Sequence, residues 1–204
     1  MGDQAFDRLG LALPPFLSAE GKRELIAQLR RYPDNFEYFG WAPSDPEAIQ
    51  GDGWSGLTLF DFETAEREKV QGLILSNSCD IAAANAPMLD QRVAFAPILE
   101  LSRYQEFIVE AGKTPRQADE YVAQIRRQEI HRLFYLPSIH GLFEESIVAL
   151  DNIHSIPLEE FSRSSVHRVF SLSMYGWYVL LVKLSIHFTR MAENVDRRSA
   201  AQAG

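Results

Sequence analysis

Three stretches decide the fold: DGWSGLTLFDF over residues 52–62, GLILSNSCD over 72–80 and RVAFAPILE over 92–100. Their apolar runs are short, rich in β-branched and aromatic residues, and separated by polar turns. That pattern suits strands and not helices. Close spacing of such strands is typical of a small, tightly curved antiparallel barrel. The expected strands lie at 56–62, 70–77 and 92–98, with Glu63 to Lys69 as a charged hairpin turn and Ala82 to Asp90 as a longer loop.

Downstream, Leu101 to Gly112 reads as a helix with Tyr104, Phe107 and Ile108 on one side. Thr114-Pro115 starts another, with threonine as N-cap and proline at the first helical position; Tyr121, Val122 and Ile125 carry it to about residue 129. Strand-like runs return at 132–136 and 146–150, and Leu150-Asp151-Asn152 closes a turn. Upstream, residues 18–31 read as a helix, from an N-cap at Ser18 through Leu25, Ile26 and Leu29 to a stop at Pro33. Residues 32–55 carry Phe36, Tyr38, Phe39, Trp41 and Trp54, too aromatic for a disordered linker, and are expected as an irregular segment packed over the barrel. Residues 168–195 read as one long helix, apolar on nearly every face from Val169 to Phe188. Lys183, His187 and several serines interrupt it, so it reads as a core or interface helix and not a membrane span.

The composition is that of an ordinary globular chain, with 46% hydrophobic and 24% charged residues. The net charge of −8 argues against a broad, nonspecific phosphate contact. One cysteine makes no internal bridge, and residues 1–8 lack the basic-then-apolar order of a secretory signal. A reducing, cytoplasmic setting is the expectation.

Chemistry has few places to sit. Cys79 follows the second strand: as a nucleophile it needs a histidine or a helix N-terminus to lower its pKa, and otherwise it is a small buried thiol filling space. Asp80 is a catalytic acid or, more simply, a turn or cap residue. His131 and His140 flank one strand and loop, but no metal-ligand spacing is present, and neither metal nor cofactor is expected. Arg126, Arg127 and Arg132, beside His131, form the densest basic cluster: a phosphate or acidic-partner site, or a solvated helix end complementing its dipole. Walker, dinucleotide-binding and nucleophile-elbow motifs are all missing.

The strand pattern Gly53–Phe62, Gly72–Asn77 and Val93–Ile98 resembles the PemK/MazF growth-inhibitor superfamily. The resemblance covers about a quarter of the chain. It implies an SH3-like small barrel and, in many members, a toxin endoribonuclease neutralised by an antitoxin peptide. Where the family commonly has an Arg-Pro pair, this chain has Val70 and Gln71; where the family often has Thr, it has Leu99. The arginine and threonine that assist RNA cleavage are thus absent.

The expectation is an α+β chain with a small SH3-like antiparallel β-barrel, a helical insertion and flanking N- and C-terminal helices. Residues 1–204 form a single domain: 1–49 for the N-terminal helix and aromatic segment, 50–160 for the barrel with its insertion at 101–130, and 161–204 for the C-terminal helix and tail. The leading functional expectation is a non-catalytic or weakly catalytic binding protein of bacterial toxin–antitoxin or phage-defence type. It acts through a protein partner or a homodimer, with Trp177 and Phe188 of the C-terminal helix as interface anchors and with RNA bound weakly if at all. The alternatives are an endoribonuclease with its site relocated to Arg126, Arg127 or His131, and a hydrolase or redox sensor dependent on Cys79.

Overall fold

The computed structural model describes residues 37–40, 47–61, 63–82, 90–163 and 165–189, with isolated positions between 20 and 31. The helix expected over 18–31 falls almost wholly outside the described residues.

The described chain begins with strands β1 (Phe39–Gly40), β2 (Asp52–Phe60) and β3 (Arg67–Ile74), followed by the short helix α1 (Ser78–Ile81) and β4 (Arg92–Glu100). A helical hairpin follows, α2 (Leu101–Glu110) and α3 (Pro115–Arg126), then β5 (Leu133–Leu136), β6 (Ser146–Ala149) and β7 (His154–Pro157). The last elements are α4 (Leu158–Arg163), β8 (His167–Leu172) and α5 (Met174–Thr189). The architecture is α+β, with one 8-stranded antiparallel sheet curled into a half-barrel in the order β1-β8-β2-β3-β4-β6-β5, and β7 also paired to β4.

The meander β2-β3-β4 forms where the sequence pattern places it, with shifted boundaries. β2 starts at Asp52, not 56, because Gly53 and Gly56 let it bend twice. Its register slips between Gly53 and Trp54 against β8, and between Ser55 and Leu57 against β3. Gly56 sits in the second bulge at φ +87°, a conformation that side chains avoid. Arg67 to Lys69, expected in the turn, belong to β3.

The largest correction is at 168–172. These residues form β8, paired to β1 and β2, and the helix begins only at Met174. Val169, Phe170 and Leu172 have strand propensity, and pairing on both edges outweighs their continuity with the apolar helix. Ser173 marks the boundary: its hydroxyl accepts from the Gly176 N–H at 3.0 Å. Strands β1 and β7 and helix α4 also lie where no element was expected. The helix start at Thr114-Pro115 stands, as a full capping box with Gln117.

Away from the exposed end of the β2–β3 hairpin, the sheet is largely covered on both faces. Leu73, Ala96, Val148, Phe170 and Leu172 pack under Tyr178, Val179 and Leu180 of α5. Trp54, Leu57, Ile74, Val93, Phe95 and Phe161 form a second cluster, and Leu101, Val122, Ile125, Leu133 and Ile147 a third beneath the α2–α3 hairpin. Helix α5 lies close against β1: a Cβ at Gly176 would sit 2.3 Å from the Tyr38 carbonyl oxygen. No helix among the described residues is long and apolar enough to cross a membrane.

Candidate functional site

β3 and β4 pair only at Gly72–Ile74 with Pro97–Phe95. Beyond Gly72 and Pro97 the two strands part, while β3 stays paired to β2 and β4 to β6. Helix α2 leaves the end of β4 directly and supplies a second wall. The resulting groove has a volume of about 520 Å³ and is lined by Val70, Gln71, Ile98, Leu99, Glu100, Arg103, Tyr104, Phe107 and Ser146. Two of its apolar side chains face solvent, Leu99 at 45% exposure and Phe107 at 62%. Ile108, one position along, is buried instead, so Phe107 and Ile108 do not share a side as expected.

The polar groups of the groove are held in quiet states. Arg103 lies 2.9 Å from Glu100 on its own helix end. Burial, with Tyr121 adding, holds the Tyr104 phenol above its usual range, so it is a neutral donor and not a base. The three positions at which the resemblance implied Arg-Pro and Thr, here Val70, Gln71 and Leu99, all line this groove.

The basic cluster is exposed and consumed by the fold. Arg126 makes a bidentate pair with Glu145, at 2.7 Å through both Nε and Nη2. The Tyr135 hydroxyl donates to the same carboxylate at 2.5 Å. Arg126 above all, with Tyr135 helping, holds the Glu145 carboxyl below its usual range, and burial pushes the Tyr135 phenol up. Arg127 pairs with Glu129 at 2.8 Å, and Arg132 reaches Asp151 at 3.6 Å and the Tyr104 hydroxyl at 3.3 Å. His131 is exposed and stacks on His187, ring centroids 6.0 Å apart. These residues do come together, around the end of α3, but as a braced corner and not a bare cationic patch.

Cys79 is exposed within α1, so the expectation of a buried, space-filling thiol is corrected. Strand β3 ends at Ile74, and Asn77 caps the intervening turn by accepting from the Cys79 N–H at 3.0 Å. Asp80 is exposed in the same turn and its carbonyl accepts from Gln91. No cluster of three or more potential metal ligands occurs among the described residues.

Trp177 is half-buried against its own chain and donates to Gln50 Oε1 at 3.0 Å. Besides the sheet, α5 therefore packs against Tyr38 and Gln50 of its own chain. Phe188 is 61% exposed near the helix end.

Two arrangements escaped the sequence. Lys183 is 3% exposed, and its ammonium donates to the carbonyls of Gln128 at 2.9 Å and Ile130 at 2.6 Å. Burial lowers its pKa to about 8. The Gln128 side chain in turn donates to Tyr38 and to the Tyr135 carbonyl. The second is Asp52, fully buried, which accepts from the Ile49 N–H and pairs with Arg168 at 2.8 Å. Arg168 stacks over the Trp54 ring. A lysine or arginine inside an apolar strand or helix was the only available signal for either.

No family model matches the chain, and no curated protein matches it.

Proposed function

We propose that this protein is a non-catalytic binding component of bacterial toxin–antitoxin or phage-defence type, on a divergent PemK/MazF-like, SH3-like barrel. It takes a segment of a protein partner in the groove between the β3–β4 fork and α2. The observation that carries the reading is the convergence of Val70, Gln71 and Leu99 on one groove with exposed apolar walls. Phosphoryl transfer to the 2′-hydroxyl of RNA needs a cation or donor on the developing charge and a group to move the proton. At the two positions where the resemblance implied arginine and threonine, Val70 and Leu99 supply neither. Arg103, the cation that lines the groove, lies against Glu100. Exposed Leu99 and Phe107 are instead what a peptide anchor would cover.

The relocated-nuclease reading is weakened because Arg126, Arg127 and Arg132 each face a carboxylate of the same chain. Incubation of the purified protein with a mixed-sequence transcript tests the non-catalytic half. Intact RNA is expected; cleavage lost in Arg103→Ala, Arg126→Ala or His131→Ala would overturn it. Co-purification with the products of the genes beside its own tests the binding half. Complex formation that survives both Leu99→Asp and Phe107→Asp would remove the groove from the interface.

A further inference from the structure

We infer that the segment accepted beside the fork is an extended strand, acidic on alternate residues, that pairs antiparallel with the open edge of β3. The inference rests on the groove reading above and names the chemistry of its occupant.

Over Arg67–Gln71, β3 pairs with β2 on one side, and its other edge has no strand partner among the described residues. Such an edge offers unpaired backbone N–H and C=O groups, the chemistry that an added strand satisfies. Every pairing in the sheet is antiparallel, which is also the slightly more stable choice per residue.

Side chains alternate along a strand, so Arg67, Lys69 and Gln71 share one face. Their register partners on β2 are Phe60, Thr58 and Ser55, so this face carries two cations and no acid. The Lys69 ammonium donates to the Thr58 hydroxyl at 2.8 Å. Neither Arg67 nor Lys69 has a carboxylate partner among the described residues. By contrast, Arg103, Arg116, Arg126, Arg127, Arg132 and Arg168 all have one. An uncompensated cationic stripe on a chain of net charge −8 marks the edge for an anionic partner.

A second copy is the wrong occupant. Two β3 edges joined by a two-fold axis perpendicular to the sheet bring residues of the same face opposite one another. Registers centred on Lys69 or Glu68 put Lys69 opposite Lys69 or Arg67 of the other copy, and like charges directly opposite destabilise a pair; the register centred on Val70 puts Lys69 opposite Gln71 and leaves both cations without an acid. A foreign antiparallel strand with carboxylates opposite Lys69 and Arg67 makes two cross-strand ion pairs. Its residue opposite Gln71 then lies at the fork on the face of Gln71 and Ile98, where an apolar side chain fits. From N- to C-terminus the pattern is apolar, any, acidic, any, acidic.

Two fluorescein-labelled, end-blocked peptides test this, Val-Thr-Glu-Thr-Glu and Val-Thr-Lys-Thr-Lys, titrated at low salt and read by anisotropy. The acidic peptide should bind about tenfold tighter, as two cross-strand charge pairs imply. Arg67→Glu with Lys69→Glu, both on an exposed edge, should reverse that preference, and N-methylation of alternate peptide amides should weaken binding. Equal affinities, no binding of either peptide, or a preference unchanged in the double variant would overturn the inference. A neighbouring-gene partner that binds through Leu99 and Phe107 but ignores the double reversal would sink the acidic strand and leave the groove reading standing.

Discussion

The groove beside the β3–β4 fork and the junction of α5 with the end of α3 are chemical opposites. The groove is open, largely apolar, and its arginine is already paired. The junction holds a buried lysine with a lowered pKa, a stack of two histidines, and a hydrogen-bonded network running from Lys183 through Gln128 to Tyr38 and Tyr135. Perturbed titratable groups are a standard pointer to function. Here the pointer leads to a staple: the Lys183 ammonium spends its donors on two backbone carbonyls and is shut from solvent. The groove, with little chemistry to notice, has the exposed surface a partner needs.

The comparison breaks most sharply if α5 is not held as tightly as its contacts imply. Gly176→Ala places a methyl 2.3 Å from the Tyr38 carbonyl oxygen, so helix and strand must separate. A loss of about 1–3 kcal/mol is expected in denaturant unfolding, the range for forced overpacking of a core. A loss below about 0.5 kcal/mol would mean that α5 rests loosely on β1.

The lysine gives an effect of similar size and a distinctive sign. Its pKa is about 8 in the fold, against a usual 10.5, so the folded state releases the proton first. Between those values the unfolded chain binds more protons, and stability rises with pH; below about 8 both states are protonated and the slope vanishes. A gain of about 1–3 kcal/mol across that window is expected from calorimetry, absent in Lys183→Met. The raised Tyr104, Tyr135 and Tyr178 phenols pull the other way at the top of this window, so the deciding quantity is the difference between the two proteins, and a difference that stays flat or falls would show that Lys183 is not buried as a charge.

How much of this contrast was legible in the sequence depends on whether the deciding force was local. Thr114-Pro115 announced its helix because the capping box and the proline act within one turn. The α2–α3 hairpin and the β2-β3-β4 meander were legible for the same reason. β8 was not, because Val169-Phe170-Ser171-Leu172 becomes a strand by pairing with residues more than a hundred positions away, at Phe39 and Asp52. The groove was half legible. Val70, Gln71 and Leu99 stood out as departures from a family pattern, but their meeting depends on where two strands stop pairing. Lys183 registered only as an interruption of an apolar run. Nothing in its neighbours reveals the carbonyls of Gln128 and Ile130 that receive it.

The braced corner between the two regions should respond modestly. Arg126→Ala removes a bidentate but half-exposed pair with Glu145. A loss of about 1 kcal/mol is expected, near the upper end for a surface pair because the geometry is bidentate. Glu145 has its pKa lowered chiefly by Arg126, so this contribution is present at neutral pH and fades as pH falls through the folded carboxyl value. The stability difference between the two proteins should therefore shrink in acid. A difference that grows in acid would place the role of Arg126 elsewhere.

The smallest stability effect belongs to the groove, and it is the one that separates a binding surface from a core. Leu99 and Phe107 already meet water, so Leu99→Asp and Phe107→Asp forfeit little burial. Surface changes of this kind fall within about 0.5 kcal/mol. If the groove is an interface, the same changes should cost a bound partner far more, because an apolar anchor would be replaced by a charge that must be desolvated. The telling measurement is the pair of numbers on one variant: unfolding free energy and partner affinity. A variant that loses both in proportion has damaged the fold. A variant that keeps its stability and loses its partner marks the groove as the surface on which this protein acts.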